Sequence, residues 1–197
     1  MLRTVFGLLM SLIAGSQVIA GPLHEASNAG DVGALQAALE TDPDIDSQDN
    51  SGETPLNLAI VHGHDDVAIM LLEAGASVDA RNRGGFTPLH SAAYADRPAV
   101  AAALIERGAN IEDQGNKAGV TPLSVAAEEG NADVAAVLIE NGAEVDVTER
   151  NGYTPLSRAL WRNRDRVVAL LQAAGAVCQP EEILGEPTYA KCMAGQK

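Results

Sequence analysis

The sequence predicts a mainly α solenoid, and three observations carry that prediction. The tripeptide Thr-Pro-Leu recurs at Thr54, Thr87, Thr121 and Thr154, at spacings of 33, 34 and 33 residues. A Gly-Ala pair keeps step with it, at Gly75, Gly108, Gly142 and Gly175. Composition is the third: of 197 residues 46% are apolar but only 3% are aromatic, so the core has to be built from small aliphatic side chains in closely packed helices. A fixed period of this length marks a stack of units that cover one another's apolar faces.

Each element of the unit follows from its residues. The threonine hydroxyl caps a helix N-terminus, proline suits the first helical position because its missing N–H has no partner there, and leucine then turns inward. This first helix ends near Gly63, Asp96, Gly130 and Asn163, residue types that tolerate left-handed backbone. A second helix, such as Val67 to Glu73, runs to the Gly-Ala pair. Val78-Asp79, Ile111-Glu112 and Val145-Asp146 then lead into a turn that returns the chain to the next Thr-Pro-Leu. The single 34-residue step places one extra residue around Gln114 to Lys117, in a turn that absorbs it without shifting either helix.

A period of 33 with these tripeptides resembles the ankyrin repeat, and the resemblance covers Gly21 to about Val177. It implies antiparallel helix pairs joined by β-turn fingers, stacked into a curved slab whose concave face is made of fingers and first helices. The family often has histidine after Thr-Pro-Leu; here only His90 does, while Asn57, Ser124 and Ser157 stand in its place and can still join local hydrogen bonds. Stepping back one period from Thr54 gives Gly21-Pro22-Leu23, then Ala26, Gly30, Leu39 and Ile45-Asp46 at the matching positions. The chain therefore divides into a leader over 1–20, a degenerate capping repeat over 21–49, repeats over 50–81, 82–114, 115–148 and 149–178, and a tail over 179–197.

Residues 1–20 read as a secretory signal peptide. Arg3 precedes an uncharged, mostly apolar stretch from Val5 to Gly15, and Val18 and Ala20 supply small residues before a cut after Ala20. The stretch is shorter than the ~20 residues of a membrane-spanning helix, so no membrane association is expected once it is removed. The expected location is periplasmic or secreted, and with this leader the chain is similar to exported bacterial ankyrin-repeat proteins. Cys178 and Cys192, the whole thiol inventory, then favour a disulfide that folds the tail against the last helix pair. A redox switch is the functional alternative, although the spacing is unlike Cys-x-x-Cys.

Loss of Arg3 leaves 12 of the 13 basic residues against 27 acidic ones. Such a chain repels nucleic acid and anionic lipid, and its field attracts basic partners. No nucleophile elbow, phosphate-cradling glycine loop or zinc-protease histidine pair is present, so no enzymatic role is expected. His62, His64, Asp65 and Asp66 are clustered but lack a defined tetrahedral spacing, so neither a metal nor another cofactor is expected.

Family members resemble one another at framework positions and differ at finger tips and the exposed side of helix one. The residue before each threonine is Glu53, Phe86, Val120 and Tyr153; eight further on stand Val61, Tyr94, Glu128 and Trp161. Four of the five aromatics beyond the leader fall on this stripe, the fifth being Tyr189. Aromatics on a concave surface supply large contact area at small rotamer cost, so Phe86, Tyr94, Tyr153 and Trp161 are candidate partner contacts. The alternative is that Phe86 and Tyr153 fold onto the neighbouring finger and seal the stack. Arg83, Lys117 and Arg150 each lie four residues before a threonine and, with Arg162, form either a cationic edge for an acidic partner segment or solvated finger tips. Arg158, Arg162, Arg164 and Arg166 can equally pair with Asp165 or Glu149. The expected function is a non-catalytic binding scaffold, adaptor or chaperone-like, acting as a monomer on a protein partner. An acidic inhibitor or immunity-type protein using Glu53 and Glu128, or a secreted effector, is the alternative.

Overall fold

A computed structural model describes residues 21–41 and 44–195; the leader expected over 1–20 lies outside them. Among the described residues there are twelve helices and no strand. Ten form five successive pairs: α1 (Pro22–Ala29) with α2 (Val32–Leu39), α3 (Pro55–His62) with α4 (Asp65–Glu73), α5 (Pro88–Ala95) with α6 (Pro98–Glu106), α7 (Pro122–Glu129) with α8 (Ala132–Glu140), and α9 (Pro155–Trp161) with α10 (Asp165–Ala173). Two short helices, α11 (Glu181–Leu184) and α12 (Glu186–Ala194), follow.

The first helices start as their residues require. Thr54, Thr121 and Thr154 accept the backbone N–H three residues on, from Asn57, Ser124 and Ser157 at 3.2, 3.1 and 3.4 Å. At the one Thr-Pro-Leu-His site, the Thr87 N–H and hydroxyl donate to His90 Nδ1 at 3.3 and 2.8 Å, and Nε2–H donates to the Val120 carbonyl at 3.0 Å. His90 thereby bolts one finger to the next. Burial pushes its pKa down, which keeps the imidazole in the neutral form this bonding needs. Asp96 and Asn163 sit at φ 55° beside the glycines that end the other first helices, as their residue types allow.

First helices stack on first helices and second on second, giving two layers with the core between them. Leu56, Leu89, Leu123 and Leu156 form one buried row, at 1% exposure or less, and Leu71, Leu104, Leu138 and Leu171 another at 0%. Alanines at positions such as Ala59, Ala92, Ala126 and Ala159, also fully buried, let the layers approach. Each leucine so buried contributes about 1.5–3 kcal/mol.

Polar bonds stitch unit to unit. The carboxylates of Asp46, Glu112 and Asp146 accept the backbone N–H of Ser77, Glu144 and Val177, one unit on, at 2.9, 2.7 and 2.9 Å. On the opposite edge, side chains opening the second helix reach back to the carbonyl end of the preceding unit's first helix. His64 Nε2–H donates to Asn28 O at 3.2 Å, Asn131 to Ala93 O and Tyr94 O at 2.8 Å each, and Arg164 Nε–H to Glu128 O at 3.0 Å. These donors satisfy carbonyls that no intrahelical N–H reaches.

The tail imitates one more unit and then stops. Val177 meets Asp146 as its counterparts do, and Gln179 donates to Gly152 O at 2.7 Å and accepts from the Ser157 hydroxyl. The Cys178–Cys192 disulfide is formed, with Cα atoms 6.0 Å apart. Cys192 and Leu184 are buried against the last pair, and Gln172 donates to Cys192 O at 2.9 Å. Gly185 at φ 77° turns the chain between α11 and α12, and Pro187 in the first helical turn starts α12.

Candidate protein-binding groove

The fingers and first helices meet along one face, where residues of both line the same clefts. Three fingers close on a backbone bond, Asp49 N–H to Glu53 O at 3.0 Å, Asn82 N–H to Phe86 O at 3.0 Å and Glu149 N–H to Tyr153 O at 2.9 Å, while in the finger before Thr121 the Asn116 side-chain amide donates to Val120 O at 2.6 Å. Short side chains at the first position tighten the turn. Asp49 accepts from Ser51 N and Glu53 N at 2.7 and 2.9 Å, Asn82 from Gly84 N and Phe86 N at 3.0 and 3.1 Å, and Asn116 from Val120 N at 3.1 Å.

Glu149 occupies that position in the last finger, and its longer side chain is diverted. It turns inward with no exposure and accepts Arg158 Nε–H and Nη2–H at 2.6 and 2.5 Å. The other side of Arg158 bonds Glu128, which also accepts Arg162 Nη2–H at 2.5 Å. Bonding to Glu149 foremost raises the Arg158 pKa. Burial pushes the Glu128 carboxyl up, but Arg162 and Arg158 together outweigh it and hold the group below its ordinary value. Glu128, a candidate partner contact by sequence, is therefore clamped between two arginines.

This ion network forms a ridge between two clefts. The first, about 470 Å³, is lined by Val61, Phe86, Tyr94, Val120 and Val125. The second, about 360 Å³, is lined by Asn151, Tyr153, Trp161 and Arg162. Glu128 and Arg158 line both. The structure thus gathers Phe86 and Tyr94 in one cleft and Tyr153 and Trp161 in the other. Tyr94 is the most open of the four at 57% exposure. Phe86 leans edge-on against His90, with ring centroids 5.5 Å apart, so it is half-buried and serves both wall and stack. Tyr153 and Trp161 meet edge-to-face at 4.4 Å, and the indole N–H donates to Leu184 O of the tail at 3.3 Å, leaving Trp161 37% exposed.

Glu53 lies half-buried behind the finger edge, where Asn82 donates to it at 2.9 Å. Burial pushes its carboxyl above the ordinary range, against the smaller opposing pull of the Asn82 and Asn57 amides. Arg83, Lys117 and Arg150 are exposed on successive fingers, and among the described residues none has a carboxylate within 4.0 Å. The Arg83 and Arg150 stems lie over Gly52 and Gly119, where an added Cβ would sit 2.4 and 2.5 Å from Cγ. Arg162, though bound to Glu128, keeps 58% of its side chain exposed. His62 and His64 are occupied by helix carbonyls: His62 Nδ1–H donates to Leu58 O at 2.9 Å, His64 to Asn28 O.

Family comparison agrees with this architecture. A model described as ankyrin repeats, in three copies, matches residues 23–115 and 112–181. The chain belongs to the ankyrin-repeat family. Ankyrin repeats are protein-interaction scaffolds and are generally non-catalytic. The 60 kDa lysophospholipase of Mus musculus is similar over a short stretch, 48% identical across 48 residues, which is 24% of this chain and 8% of that protein. The stretch is shorter than two units, and the chain spans under a tenth of that relative. Among the described residues no helix is long and apolar enough to cross a membrane.

Sequence reasoning placed the aromatic stripe but not the centre of the groove. Arg158 was one of four arginines with several available partners, and Val125 carried no signal of its own. One clue was present: Glu149 breaks a column otherwise made of Asp49, Asn82 and Asn116, and a side chain too long for its turn has to find another partner.

Proposed function

We propose that this ankyrin-repeat protein is an adaptor or chaperone-like scaffold that acts after export, with its leader cut after Ala20, and holds a protein partner in the concave groove as a monomer. The observation that carries this is the pair of clefts on one face, each with an exposed aromatic, Tyr94 in one and Trp161 in the other. Aromatic side chains that stand free in a concavity are the residue types from which interface hot spots are made. The carboxylates an acidic inhibitor would present, Glu53 and Glu128, are engaged by Asn82 and by two arginines, which favours aromatic anchoring over charge neutralisation. Capture from the exported fraction with mature protein tests this. A partner retained at high salt by the wild type and lost with Tyr94→Ala or Val125→Glu supports it. A partner that ignores both substitutions and dissociates with salt refutes the groove as the binding face. N-terminal sequencing of the exported protein tests the leader: a first residue other than Gly21 rules out the cut.

A further inference from the structure

We infer that the groove receives an extended segment of the partner in which two large apolar side chains flank a pair of carboxylates. This assignment rests on the protein-binding function proposed above and adds the chemistry of the occupant.

Three observations converge on it. The two clefts are separated by the Glu128–Arg158 bridge, so one continuous apolar side chain cannot fill both; two anchors are needed with polar chain between them. The first cleft lies mainly between α5 and α7 and the second between α7 and α9, so they are offset by one step of the first-helix stack, and packed helix axes lie about 8–10 Å apart. In a polyproline II conformation residues i and i+3 share a face about 9 Å apart, which matches anchors separated by two residues.

Charge decides what those two residues are. The chain as a whole carries −14, yet the rim of the groove is locally cationic. Arg83, Lys117 and Arg150 are chain neighbours of Asn82, Ala118 and Asn151, which line the clefts, and among the described residues they have no carboxylate partner. Arg162 adds open donor capacity beside Trp161. The ridge carboxylates Glu128 and Glu149 are already matched by Arg158 and Arg162, which leaves exposed Glu129 in the first cleft against the three finger cations and the open side of Arg162, so a basic segment would meet more unpaired cations than acids.

The test uses the mature chain and three synthetic heptapeptides: leucine and phenylalanine separated by two glutamates, by two glutamines, or by two lysines. Trp161 is the chain's single tryptophan and lines the second cleft, so its emission reads occupancy directly; anisotropy of labelled peptide confirms it. The glutamate peptide should bind at least about tenfold more tightly than the lysine peptide, and added salt should narrow the gap. Lys117→Gln with Arg150→Gln, both at exposed fingers, should cut the advantage of the glutamate peptide over the glutamine one at least about threefold, Arg83 and Arg162 supplying the remainder. Equal or tighter binding of the lysine peptide, or a preference left undiminished by the double substitution, overturns the acidic occupant while leaving the groove as a binding site. Silence from all three peptides overturns the two-anchor segment, and the scaffold function is then judged separately by the capture experiment.

Discussion

Glu149→Gln isolates the ridge at the centre of the groove. Glu149 has no exposed side-chain surface and accepts two bonds from Arg158, which is itself only 17% exposed. Breaking a buried pair by neutralising one partner costs about 3–5 kcal/mol, because the remaining charge stays desolvated. Arg158 keeps Glu128 as a second partner, so the lower end applies: about 3 kcal/mol. For a chain of this size each kcal/mol moves the melting temperature by about 2–4 °C, giving a drop of about 6–12 °C by calorimetry. Urea unfolding followed by circular dichroism should report the same loss. The paired substitution Glu149→Leu with Arg158→Leu removes both charges and should recover most of it. If Glu149→Gln costs less than about 0.5 kcal/mol, the worth of a solvated surface pair, the carboxylate is not holding a desolvated guanidinium and the ridge as described is wrong.

Acid should weaken the fold in two stages. His90 is depressed by burial, so its stabilisation is full above the unfolded value of about 6.5 and declines as pH falls through the lower folded one; His90→Gln should abolish that first stage in pH-dependent melting. Asp113 is held below its ordinary value by Arg81, and Glu128 by Arg162 and Arg158 against burial, so their contribution is full above about pH 4 and is lost as pH drops through their folded values. Glu53 has the opposite sign, its carboxyl being raised by burial; Glu53→Gln should be neutral or stabilise by up to about 1 kcal/mol at pH 7, measured by the urea midpoint. Reducing the disulfide, whose cysteines are 14 residues apart, should remove about 3 kcal/mol, with hydrogen exchange accelerating in α9 to α12 before it does in α3 to α6.

The helix pairs were legible because each rests on local chemistry repeated in register: a threonine cap, a proline at the first turn, a residue tolerant of left-handed backbone at the end. Asp96 and Asn163 were readable as terminators even without glycine. The contacts the sequence withheld at Arg158 and Trp161 reach neighbours 30 and 23 residues away. Arg158 meets Glu128 across a repeat boundary, and the Trp161 indole meets a tail whose path is set by the disulfide. The helix α12 was hidden for the same reason: it lies outside the period, and its burial is dictated by the shape of the last pair.

Among the described residues, the side-chain bonds between units that cap the carbonyl ends of α1, α5 and α7 come from the unit that follows in the chain. The array is therefore polar, in the sense that a ratchet is polar. Trimming from the N-terminus strips a unit and leaves the next one's caps intact, whereas trimming from the C-terminus leaves a first helix with bare carbonyls. The end that would be left bare is the end that carries the covalent clasp, and there Lys191, reaching Asn163 and Asp165 at 3.1 and 2.9 Å, fills the place of the missing neighbour. Lengthening this solenoid by design should therefore insert new units before the clasp, where each newcomer both caps its predecessor and is capped in turn.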